Sequence, residues 1–184
     1  ANSDLHWGSD FTKALRSDVL KRLRGKKWTD VRKETVEMLK RGYSKDIGKF
    51  KKKLNQIKKS WRKIEKEYFE KLAKLTKHKI YKKEFVAFVT TIGRCPYFKD
   101  EGNFMINIYK TADSELITIA HEIMHLQFHY YFEKELRKKL SYEQFHNLKE
   151  ALTVLLNIEF SDLLKEKDLG YASHKEFREF IAKE

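Results

Sequence analysis

Residues 117–129 read Ile-Thr-Ile-Ala-His-Glu-Ile-Met-His-Leu-Gln-Phe-His, and the fold turns on reading this run as a buried helix. Nothing in it breaks a helix, and Leu116, Ile119, Ala120, Ile123 and Met124 make its surroundings apolar. On a helix, residues four apart lie about 6 Å from one another on nearly the same face. His121 and His125 can therefore place two imidazole nitrogens on one tetrahedral zinc ion. Glu122 sits about 100° further round. Its carboxylate is badly placed to be a third ligand to that ion, but well placed to hold and deprotonate a water bound to it. A buried glutamate between two buried histidines needs partners, which a metal and its water would supply. The competing reading is a polar cluster satisfied by other protein groups within a helical core.

A two-histidine zinc site needs a third protein ligand. Ser141 and Gln144 form a capping box that opens the next helix, expected to continue through residue 160. On it His146, Asn147, Glu150, Thr153 and Asn157 fall on one stripe. His146, Asn147 and Thr153 read as its solvent face, and Asn157 as packing. Glu150 follows His125 by 25 residues, enough for the end of one helix, a turn and the start of another, so it is the expected ligand. The rival is His129, which stays on the zinc face but is carried about 6 Å further along the axis. Glu159, Asp162 and His146 are the remaining alternatives.

The chain of 184 residues, 41% hydrophobic and 14% aromatic, has the length and composition of a single globular domain over 1–184 with a real core, which excludes a disordered chain. Lys+Arg 40 against Asp+Glu 27 leaves a net charge of +13. Most of that is lysine spread along helix faces, which reads as a solvated basic surface, so nucleic acid is not the favoured partner. The single cysteine, Cys95, excludes an internal disulfide and fits a reducing, cytoplasmic setting. No run approaches the roughly 18 apolar residues of a membrane span, and none reads as a signal peptide. The protein is expected to be a monomer.

Residues 10–80 read as a helical scaffold. Residues 10–23 suggest one amphipathic helix closed by Gly25, and 29–41 a second closed by Gly42. From Ser44 the spacing of Ile47, Phe50, Leu54, Ile57, Trp61, Ile64, Tyr68, Leu72 and Leu75 predicts a helix of about 30 residues with an apolar seam and lysines outside. Residues 84–110 switch period. Residues 85–92 look like a buried strand, and 104–109 like an edge strand that could take an extended peptide or protein substrate along residues 103–109. Residues 114–184 hold the site helices, the first starting near residues 111–114 and running to about 140.

The His121/His125 pair with Glu122 and a downstream helical glutamate resembles the gluzincin group of zinc metallopeptidases. That resemblance, spanning roughly residue 85 onward, implies His121, His125 and Glu150 as zinc ligands and Glu122 as the residue that polarises the water. Residues 118–129 with Glu150 and Ala151 also resemble the repressor-cleaving ImmA/IrrE family, although Met124 stands where that family has Gly. Val154 stands where thermolysin-like enzymes carry an aspartate four residues after the ligand Glu. Gluzincins draw oxyanion donors from outside the zinc helix, and Tyr171 and His174 are the candidates here. Arg94, Cys95 and Tyr97 are further residues for the rim, and Ser173 with Glu176 is expected to cap a final helix from Lys175.

These readings imply a mostly helical α+β zincin-type domain with a short mixed sheet beside the histidine helix. The expected activity is that of an endopeptidase or oligopeptidase with one zinc per chain. The alternatives are a basic nucleic-acid-associated protein with a structural or vestigial zinc site, and a regulatory protease that cuts a DNA-bound protein.

Overall fold

Eight apolar or aromatic side chains at alternating spacings of three and four, from Phe50 to Leu75, specify one face of a long helix. In the computed structural model, which describes residues 21, 25–91 and 95–183, that helix is α1 (Trp28–Thr76). It runs through Gly42 instead of stopping there. An interior glycine costs only about 1 kcal/mol relative to alanine, too little to end a helix whose neighbours favour it and where no proline follows. The helix expected over 10–23 falls largely outside the described residues. The chain divides into two compact units, Ala1–Lys51 and Lys52–Glu184.

Within the second unit the seam of α1 enters the core. Ile57, Tyr68 and Leu72 are buried, and Leu54, Trp61, Ile64 and Leu75 pack against them. Ile47, at the head of the predicted seam, is exposed. Tyr68 is the anchor: its ring lies 5.2 Å from Trp61 and 5.1 Å from Phe160, and its hydroxyl donates to the Ala120 carbonyl at 2.6 Å. Burying one such side chain contributes about 1.5–3 kcal/mol. The Tyr68 bond also ties the scaffold to the helix that carries both histidines.

The sheet comprises β1 (Val86–Thr90), β2 (Tyr97–Phe98) and β3 (Asn103–Asn107), in the order β1-β3-β2. β1 is parallel to β3, and β2 is antiparallel to it. The expected roles of the two longer strands are therefore reversed. β3 is central, with Phe104 and Ile106 buried at a period of two; β1 pairs along all of 103–107 on one side and β2 along Asn103 and Phe104 on the other. β1 is the outer strand, and Val86 and Phe88 remain 45% and 48% exposed. Length and β-branching mark a strand but not its place in a sheet, which is why this order was hidden. Gly102, at φ +64°, makes the turn before β3, where a Cβ would come within 2.8 Å of the Tyr81 hydroxyl.

α2 (Ala112–Leu136) carries the histidines. Thr111 caps it by accepting from the Ser114 amide at 3.0 Å, as the sequence predicts, and it ends four residues before the expected 140. α3 (Tyr142–Leu152) opens with the predicted Ser141/Gln144 capping box. It does not continue to residue 160: a turn at Thr153 and Val154 separates it from α4 (Leu155–Glu159). Arg178 approaches the Glu150 carbonyl, and Val154 bonds to the Ala151 carbonyl, one residue short of the helical spacing. A 3₁₀ turn (Ala172–His174) leads into α5 (Lys175–Ile181), without the expected Ser173 cap because Ser173 lies inside that turn. The result is a mostly helical α+β fold. Among the described residues no helix is long and apolar enough to cross a membrane.

Candidate metal centre

The four-residue spacing on α2 sets the His121 and His125 rings 4.2 Å apart, and α3 brings Glu150 to both. Glu150 Oε1 lies 3.3 Å from His125 Nε2, and Glu150 Oε2 lies 3.6 Å from His121 Nε2. One ligand atom from each of the three falls within 4.8 Å of the others, so this cluster could hold a metal ion. Among the described residues no fourth His, Cys, Asp or Glu joins it. Three protein ligands leave a position open.

Two buried atoms show that protein groups alone do not satisfy this cluster. His125 is 1% exposed, and its Nε2 has no hydrogen-bond partner, with Glu150 Oε1 3.3 Å away. Glu122 Oε2 is likewise buried and unpartnered. Leaving such groups unpaired costs about 1–3 kcal/mol each, a cost that a cation and its water would remove.

Asp168 lies behind His121 and was not singled out from sequence. Its Oδ2 is 2.5 Å from His121 Nδ1, which leaves Nε2 facing Glu150. A carboxylate on the far nitrogen of an imidazole fixes the ring and its tautomer. Asp168 is itself held on every side: Asn157 exchanges two 2.8 Å bonds with its backbone, the Gly170 amide donates to Oδ1, and Arg178 donates to its carbonyl at 2.7 Å. Gly170 has φ +61°, and a Cβ there would strike the Arg178 guanidinium at 2.7 Å. Asn157 is therefore a brace for Asp168 beyond plain packing. Thr153, expected on the solvent face, is fully buried because it receives Arg178 Nη1 at 2.6 Å.

The electrostatics follow from this crowding. Burial would lower the His121 imidazole, but the surrounding carboxylates of Asp168, Glu150 and Glu122 raise it to about 10. Burial also works against the Glu150 carboxylate, yet His121, His125 and Lys149 hold it well below the usual carboxylate range. His125 is pushed well below the ordinary imidazole value by burial, with Lys149 and His121 adding to the effect. Glu150 ionised and His125 neutral are the forms in which these side chains bind metals. Burial pushes Glu122 up to about 7 against the pull of His121 and Lys149.

His129 does not join the cluster. Its Nε2 meets the Tyr97 hydroxyl at 2.7 Å and its Nδ1 meets Glu133 at 2.9 Å. Among the other rivals, Glu159 and His146 are exposed and Asp162 pairs with Lys71 at 2.6 Å. His174 is half-buried, with Nε2 at 3.1 Å from Asn147 Oδ1, one turn before Glu150. Tyr171 is 61% exposed, and its ring lies 5.7 Å from that of His174. Of the expected rim residues, Tyr97 packs 5.6 Å from His125, Cys95 is half-buried, and Arg94 lies outside the described residues. Lys149, which no sequence pattern flagged, is buried beside Glu150. The available hint was its spacing of four from Phe145 on the apolar face.

No family model matches the chain, and no curated protein or solved structure was found to be similar to it.

Proposed function

We propose that the chain is a zinc-dependent peptidase of gluzincin type, with His121, His125 and Glu150 as ligands and Glu122 as general base and acid. The observation that carries this reading is the pair of buried atoms without a hydrogen-bond partner, His125 Nε2 within the His121/His125/Glu150 cluster and Glu122 Oε2 on the same helix as both histidines. Bound zinc would polarise the scissile carbonyl and acidify a water. Glu122 holds that water, takes its proton and returns it to the leaving amine. Burial favours the base role, because a carboxyl raised to about 7 can accept a proton and release it again near neutrality. Asp168 keeps the His121 ring turned toward the site. His174 and Tyr171 follow Asp168 in the same segment and are the proposed oxyanion donors.

The substrate is a peptide in extended form. With β3 in the middle of the sheet, the outer strand that adjoins the site is β2, whose Tyr97 lies against His125, and a peptide would add there as a strand. The absence of a fourth ligand among the described residues supports an enzyme over a structural zinc site.

The test is the variant Glu122→Gln. It should bind about one zinc per chain, as the wild type does, and lose peptide hydrolysis by about a hundredfold to ten-thousandfold. Metal analysis beside turnover on a peptide library reads both. Lost zinc, or unchanged turnover, would remove Glu122 from its role.

A further inference from the structure

Lys149 is 2% exposed, whereas the other lysines among the described residues are exposed or only partly buried. Its Nζ donates to Glu150 Oε1 at 2.7 Å and to the Tyr97 hydroxyl at 2.9 Å, and sits 4.7 Å from the centre of the Tyr97 ring. The contacts continue outward. Tyr97 meets His129 Nε2 at 2.7 Å, His129 Nδ1 meets Glu133 at 2.9 Å, and Lys99 closes on Glu133 at 3.0 Å. The two ends set every donor between them. An ammonium has only hydrogens to give, and an ionised carboxylate only lone pairs. Nδ1 therefore carries the His129 proton, Nε2 accepts from Tyr97, and Tyr97 accepts from Lys149. Each group has one consistent role, so the chain holds the ammonium in place.

A buried cation beside a metal-binding carboxylate calls for an explanation, since it repels the ion that the carboxylate is there to bind. Glu150 has two oxygens, and the ammonium is bound to one of them. We propose that Lys149 is a positioning residue that reserves Glu150 Oε1, so that Glu150 offers a metal only Oε2, and that the Tyr97–His129–Glu133 chain anchors it there. A carboxylate that bound through both oxygens would fill the position that a water and a substrate carbonyl must share. Lys149 keeps it free at a cost in affinity. The proposal rests on the metal site proposed above and adds how its third ligand binds.

Cobalt(II) substitution of the full chain tests it, because four-coordinate cobalt absorbs strongly in the visible and five-coordinate cobalt weakly. Wild type should show the strong bands. Lys149→Met should show weak ones and bind zinc about tenfold more tightly in competition with a chromophoric chelator, since a repelling charge is gone and a second oxygen is freed. Lys149→Arg, which keeps charge and donors, should return both readings toward wild type. A merely structural lysine would give the opposite sign, with weaker zinc binding in Lys149→Met and unchanged bands. That result overturns the proposal, as do weak bands in the wild type, a reading that stands even if Lys149→Met fails to fold. A wild-type chain that takes up neither metal fails the site itself, and is thereby told apart from failure of this inference.

Discussion

His121 and His129 sit two turns apart on α2, and each has a carboxylate against its Nδ1, Asp168 at 2.5 Å and Glu133 at 2.9 Å. From behind, the two look alike. They differ at Nε2. That of His129 is bonded to the Tyr97 hydroxyl, so the ring is fully used by the protein. That of His121 faces Glu150 across 3.6 Å, too far for a hydrogen bond, beside an unpartnered His125 Nε2. A histidine becomes a ligand through what its front nitrogen lacks, and the carboxylate behind it serves equally for a ligand or for a strut.

The strongest way to break this comparison is to exchange which region loses its carboxylate or ring. Glu150→Ala should lower zinc affinity by about a thousandfold or more, since two imidazoles alone leave the ion under-coordinated. His129→Ala should leave metal content unchanged. Equal losses measured by metal analysis would mean that the satisfied ring is a ligand after all. Next come the carboxylates behind the rings. Asp168→Asn should weaken zinc about 10–100-fold, whereas Glu133→Gln should leave metal affinity within about twofold. Chelator competition on the two variants ranks them.

A buried glutamate elsewhere on α2 sharpens the point. Glu115 is fully buried, its Oε1 without a hydrogen bond and 4.0 Å from Lys110 Nζ, yet Oε2 accepts the Asn107 amide at 3.0 Å and no imidazole partner is among its contacts. Burial pushes it up to about 7, against Lys110 and the Asn107 amide. Between its ordinary value of about 4.5 and about 7, the folded protein keeps a proton that the unfolded chain releases. Its contribution should therefore make stability fall as pH rises through that window and level off above it. Glu115→Gln should make that fall shallower, leaving the share that Glu122 adds in the same window, and stabilise the protein by about 1–2 kcal/mol at pH 8, without changing metal content. Denaturant unfolding across pH 4–9 reads this, and an unaltered slope would refute it. The smallest effect lies at the start of α3, where Ser141→Ala should cost about 1 kcal/mol in the same assay and leave metal affinity intact.

The grouping of His121, His125 and Glu150 was legible because helical spacing is a local property: His121 and His125 are four apart, and the Ser141/Gln144 box fixes where the helix bearing Glu150 begins. What stayed hidden was long-range. Nothing local distinguishes Asp168 from other acidic residues, because its role comes from Asn157, Gly170 and Arg178 converging on it. Lys149 read as surface charge, since lysine is solvated almost everywhere else in this sequence. The central place of β3 depends on which strand pairs on each side, and the break at Thr153 and Val154 coincides with a guanidinium that arrives 25 residues later.

That late arrival gives the site a history as well as a geometry. Arg178 bonds Thr153 beside the helix of Glu150, and also the carbonyl of Asp168, whose side chain steadies His121. During synthesis His121, His125 and Glu150 have all been made once residue 150 is in place, but the brace behind His121 is complete only when residue 178 has joined it. A ribosome therefore makes the cluster first and its posture last.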